Sequence, residues 1–111
     1  MDVISAFDIS YDNCDNIYFS VSRDDFSKYA LSLSSSYIPV NDKYKVKDIF
    51  RDTPEQSNYR VWITNGVIAF LATKNGRTKN IFFSNIPDDT ITSFAHRIIE
   101  DGYKFNNIFQ Q

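Results

Sequence analysis

Apolar and polar positions alternate most regularly between Tyr59 and Ser84, where Asn65-Gly66 and Asn75-Gly76 separate three apolar runs. Asn-Gly favours a two-residue type I′ turn, because both turn residues need a positive φ. Two such turns predict a three-stranded meander whose registers place the same six residues on one face, namely Val61, Ile63, Ile68, Phe70, Ile81 and Phe83. The two turns are independent signals, and they agree on this apolar face.

The opposite face of the predicted meander is mixed rather than fully polar. Its largest residue is Trp62, and the others are Arg60, Thr64, Val67, Ala69, Leu71, Asn80 and Phe82. Two interpretations are open. Either another part of the chain partly covers this face, or the face presents an apolar patch to a partner.

A first helix is predicted after Ser22, a residue type that caps helices, with Asp25 three positions on as an approximate capping box. Apolar residues then recur at helical spacing, and the helix is expected to run to about Ser36 and to stop before Pro39.

A second helix is predicted from Pro87, because Asp88 and Asp89 suit the positive end of the helix dipole. Gly102 is suited to end this helix. The tail from 103 to 111 still contains three large apolar residues, Phe105, Ile108 and Phe109. We therefore expect the tail to dock on the domain or to add a short strand.

The first half of the chain contains two further apolar stretches, Val3–Ile9 and Asn16–Val21, which are predicted to be strands. Lys43–Lys47 alternates Lys with apolar residues, which is typical of a protected edge strand; a short helix over Val46–Arg51 is the alternative. The predicted order is β-β-α-β-β-β-β-α. It indicates an α+β fold, a single mostly antiparallel sheet with two helices packed on one face, in one domain spanning residues 1–111.

The composition of this 111-residue chain argues against several kinds of functional site. One Cys and one His cannot form an internal disulfide or a structural zinc site. No pattern brings Cys14 and His96 together for nucleophilic catalysis, and Asp12–Asp15 lacks the glycine of a calcium loop. The interpretation is a protein that is not an enzyme and that has no cofactor and no metal site.

The acidic residues are concentrated at the start of the chain, although the formal net charge is only -2. Residues 1–27 contain six Asp and one Arg, whereas the remaining residues contain more basic than acidic residues. Asp12, Asp15, Asp24 and Asp25 are candidates for an acidic surface that steers a cationic partner, with Trp62 as an anchor. The alternative is that these acids cap helices or form a solvated edge.

Small bacterial and phage proteins that act by occluding another protein share this profile. The first hypothesis is a cytoplasmic immunity or antitoxin-like protein that binds one folded partner, such as a cationic toxin or nuclease. One alternative is a nucleic-acid-binding or regulatory domain using Lys43–Lys47, which the low net charge disfavours. Another alternative is a secretion-chaperone-like dimer. Under the first hypothesis, the chain is expected to be a monomer or a weak dimer. No signal peptide or membrane segment is predicted.

Overall fold

The computed structural model describes residues 17–39, 58–64 and 66–107. The strands and helices in these ranges form one α+β unit. In chain order the elements are β1 (Ile17–Val21), α1 (Arg23–Ser34), β2 (Asn58–Thr64), β3 (Val67–Lys74), β4 (Arg77–Phe83), α2 (Asp88–Glu100) and β5 (Phe105–Asn107). All strand pairs are antiparallel, and the order across the sheet is β4-β3-β2-β1-β5. The predicted fold class is confirmed, and the tail contributes the strand β5.

Strand β1 has both of its edges paired at Ile17–Phe19, with β2 on one side and β5 on the other. No edge therefore remains beside these three residues for a second N-terminal strand. The predicted strands over Val3–Ile9 and Lys43–Lys47, and the alternative helix over Val46–Arg51, lie outside the described residues.

The meander has the predicted registers. Ile63 pairs with Ile68, and Val61 pairs with Phe70 across the first turn. Across the second turn Phe70 pairs with Ile81. The second turn has the expected left-handed backbone, with φ of 53° at Asn75 and 76° at Gly76. The local turn sequence therefore sets which residues of these strands point into the core.

Helix α1 begins as predicted, because the Ser22 Oγ accepts a hydrogen bond of 3.1 Å from the Asp25 backbone N–H. It ends at Ser34, two residues before the predicted end. Helix α2 starts immediately after Pro87. It ends just before Gly102, whose φ of 104° requires a residue without a side chain.

Both helices pack on one face of the sheet and form a single core with it. Phe70 lies at the centre of this core and makes edge contacts with three other rings, those of Phe26, Phe83 and Phe94. Edge-to-face contacts of this kind add to the free energy gained by burying the rings. Most of the aromatic residues that the structure describes therefore belong to the core or pack against it.

The two helices run antiparallel to each other. Lys28 of α1 contacts Asp101 just after α2, and Ser32 of α1 contacts Arg97 of α2. The start of α1 consequently lies near the end of α2. The acidic pairs Asp24-Asp25 and Asp88-Asp89, which each stand at a helix start, lie at opposite ends of the helical layer.

Candidate binding surface

The face of the sheet opposite the helices, called the open face below, is formed by the strand residues that alternate with the core residues. A continuous row crosses four strands on this face through the pairs Tyr18–Trp62, Trp62–Ala69 and Ala69–Phe82. Tyr18, Trp62 and Phe82 are half-buried, whereas Ala69 is buried. Because both described helices lie on the other side, neither covers this row.

Tyr18, Trp62 and Arg60 form one contiguous group on the open face. The Tyr18 and Trp62 rings stack with centroids 5.5 Å apart and an angle of 27° between their planes. The Arg60 guanidinium lies 5.5 Å from the Tyr18 ring centroid, within range of a cation–π interaction. Arg60 is exposed. The group therefore presents aromatic surface and a cation whose positions are already held by mutual contact.

The described acidic residues all lie away from the open face. Arg60 is the one charged residue among the open-face positions of β1 to β5. The other three basic residues of the meander, Lys74, Arg77 and Lys79, have the register of the core residues and so belong to the helical side of the sheet. The acidic residues that the structure describes belong to the helices and to Asp101. The open face thus carries one cation and no acid, whereas the helical side carries the described acids together with basic residues.

The predicted acidic site is only partly within the described residues, since Asp12 and Asp15 lie outside them. Asp24 is exposed at the first turn of α1. Asp25 is occupied by neighbours of its own chain: the Tyr103 hydroxyl donates to its Oδ2 at 2.5 Å, and Lys28 Nζ lies 3.5 Å from its Oδ1. The hydrogen bond from Tyr103 is the main cause that lowers the pKa of Asp25.

A second carboxylate continues this polar cluster between α1 and the end of α2. Asp101 Oδ2 accepts from the Tyr29 hydroxyl at 2.5 Å and from Lys28 Nζ at 3.2 Å. These hydrogen bonds, that of Tyr29 first, lower the pKa of Asp101. Burial, followed by the hydrogen bond to Asp101, raises the pKa of Tyr29. The cluster joins residues more than 70 positions apart, so no sequence pattern indicated it.

The structure does not bring the described members of the predicted site together. Trp62 lies on the open face, whereas Asp24 and Asp25 lie in the helical layer on the other side of the sheet. Tyr18 and Arg60 are the neighbours of Trp62 that sequence reasoning missed as site residues. Alternation placed Arg60 on the face of Trp62, but the pairing of β1 with β2, which brings Tyr18 there, is a tertiary contact.

Metal-binding side chains are not grouped in the described part of the chain. His96 lies half-buried in α2, and Cys14 is outside the described residues. Within residues 17–39, 58–64 and 66–107, no three His, Cys, Asp or Glu residues are grouped as metal ligands. In the same ranges, neither helix has the length and apolar character needed to cross a membrane. Comparisons with protein-family models, curated proteins and solved structures find no match to this chain.

Proposed function

We propose that this chain is a protein-binding module that acts by occluding a surface of one folded partner, in the manner of an immunity protein. The proposed contact surface is the open face, centred on Trp62. The observation that carries the proposal is the contiguous group of Tyr18, Trp62 and Arg60 on a sheet face that neither described helix covers.

The residue types of this group support its assignment as part of a protein-binding interface. Trp, Tyr and Arg are the residues most enriched among those that dominate binding energies, because they combine large apolar area with a polar group. Stacking between Tyr18 and Trp62 reduces the freedom of both rings before binding. Less conformational entropy is then lost when a partner orders them.

Charge favours a partner surface that is apolar with a carboxylate opposite Arg60. The guanidinium is exposed beside the aromatic pair, and no acidic residue occupies an open-face position in β1 to β5. An Arg–carboxylate pair in a desolvated interface adds orientation as well as energy. The cationic partner expected from the acidic N-terminal quarter fits the open face poorly, because the described acids lie on the helical side.

The proposal can be tested by photo-crosslinking in the cells that produce the chain. A benzoylphenylalanine at Ser20, the exposed residue that pairs with Arg60, would crosslink to a protein bound on the open face. The same group at Ser35, exposed at the end of α1, would crosslink to a protein bound on the helical side. We expect one protein adduct from position 20 and none from position 35.

Affinity measurements with the purified crosslinked protein then decide the assignment. Trp62→Ala is expected to weaken binding by at least about 30-fold, the effect of losing a central aromatic anchor of about 2 kcal/mol. Asp24→Asn is the matched control and should leave the affinity unchanged. An unchanged affinity of Trp62→Ala would overturn the proposal. So would tight, strongly salt-dependent binding of single-stranded oligonucleotides, or self-association that Trp62→Ala abolishes.

A further inference from the structure

We propose that the groove between the end of α1 and the start of α2 binds a small hydroxylated molecule carrying a single oxyanion group, either a carboxylate or a phosphate. The groove has a volume of about 340 Å³. This volume is within the range of small-molecule sites in proteins. The groove lies in the helical layer and is separate from the open face, so the inference does not depend on the proposed function.

Arg97 is the cation of this groove and is held in place from two sides. Its Nη1 donates to Ser32 Oγ at 3.1 Å, and its guanidinium carbon lies 5.9 Å from the Tyr29 ring centroid. Within the described residues no carboxylate forms an ion pair with it. Because a guanidinium has five N–H donors in a rigid fork, donors remain for a bidentate contact with an oxyanion.

The walls and the floor of the groove define the rest of the ligand. Leu33 and Phe94, both almost fully buried, form an apolar floor. Five residues with hydroxyl groups line the walls, namely Ser32, Ser36, Tyr37, Thr90 and Ser93. Such walls match the hydroxyl groups of a polyol or sugar, whereas the floor accommodates its carbon skeleton.

Neighbouring acids limit the charge of the ligand. Asp88 and Asp89 begin α2 one turn before Ser93, and Asp101 lies one turn after Arg97. Asp101 is compensated mainly by Tyr29 and Lys28 and to a smaller extent by the charge of Arg97, and the Asp89 carboxylate accepts from the Thr90 backbone N–H at 2.8 Å. Among the described residues that line the groove Arg97 is the one cation, and these acids surround it, which favours a single oxyanion and disfavours a polyanion such as nucleic acid.

The test is a titration of the isotope-labelled chain with three probes, followed by NMR of the backbone amides. Glucose 6-phosphate and glucuronate carry the two oxyanions, and glucose is the uncharged control. We expect saturable shifts at Ser93 and Arg97 with one or both anions, and at least about tenfold weaker binding of glucose, the effect of one charge-assisted hydrogen bond.

Variants locate the site and separate binding from folding. Arg97→Gln should weaken the anion by about tenfold, whereas Arg77→Gln, with the same charge change at the β3–β4 turn, should not. Ser93→Tyr fills the groove from an exposed position and should abolish binding with an unchanged unfolding temperature. The inference would be overturned if glucose bound as tightly as the anions, or if the two Arg variants had equal effects. It would also be overturned if no probe gave a saturable shift below about 20 mM, a concentration above the dissociation constants of most metabolite sites. Trp62→Ala should bind the probes normally.

Discussion

The Tyr103 hydroxyl donates a 2.5 Å hydrogen bond to the Asp25 carboxylate, across 78 positions of sequence. The same oxygen accepts from the Ser22 backbone N–H at 3.1 Å. Tyr103 therefore joins the segment after α2 to the first turn of α1. This contact holds the chain where β5 begins two residues later and pairs with β1.

Removing the Tyr103 hydroxyl should destabilise the fold. Tyr103→Phe leaves the ring in place but deprives Asp25 of its main hydrogen bond, at an expected cost of about 1 kcal/mol in the free energy of unfolding. Urea denaturation followed by circular dichroism measures this change. The control is Asp24→Asn at the exposed neighbouring carboxylate, which should shift the urea midpoint little. Equal losses from both variants would show that the hydrogen bond to Asp25 has no special role.

Acid should destabilise the protein through the same cluster. The pKa values of Asp25 and Asp101 are lowered in the folded state. Their stabilising contribution is therefore fully present above the unfolded pKa of about 4 and is lost as the pH falls through the folded values. Urea midpoints measured from pH 7 to pH 2.5 should be nearly constant at first and then fall.

The variant Asp25→Asn should flatten that fall, because it removes one of the two carboxylates that are deprotonated more readily in the folded state. Its midpoint should be lower than that of the natural chain at pH 7, and the two midpoints should converge at low pH. Parallel curves over the whole range would contradict the assignment of acid sensitivity to this cluster.

Phe70 should be the residue whose truncation costs most in the core. It is fully buried and contacts three rings, so Phe70→Ala leaves a large cavity, at an expected cost of about 3–5 kcal/mol. Phe82→Ala removes the same atoms from the open face and should cost less than half as much. Thermal or urea unfolding compares the two variants directly. A larger loss from Phe82 would mean that the open face is the better-packed side of the sheet.

The second meander turn should depend on backbone conformation alone. A side chain at Gly76 would meet no atom within 4 Å, but the φ of 76° strains any L-residue with a β-carbon. Gly76→Ala should therefore cost about 1 kcal/mol in the free energy of unfolding, and Gly76→Asn should cost less, because Asn tolerates this conformation better. Equal losses for Ala and Asn would indicate a different cause.

Local patterns were sufficient for the elements whose geometry is decided within a few residues. The Asn75-Gly76 turn sets a strand register through two positive φ angles, and Ser22 caps α1 through a hydrogen bond three residues away. The candidate site, in contrast, depends on contacts between distant segments of the chain. Trp62 was identified from its size and face, but its stacking on Tyr18 depends on how β1 pairs with β2, which no turn between them determines.

By itself the amino-acid sequence determined the meander, both helix starts and the class of the fold, because alternation, helical spacing and turn chemistry act over short distances. Only the tertiary structure decided that β5 takes the edge beside β1, that Tyr103 engages Asp25, and that Trp62 lies on the opposite side of the sheet from the acids of α1. These are contacts between distant segments. Their free energy depends on complementary surfaces that form only when the whole core has packed.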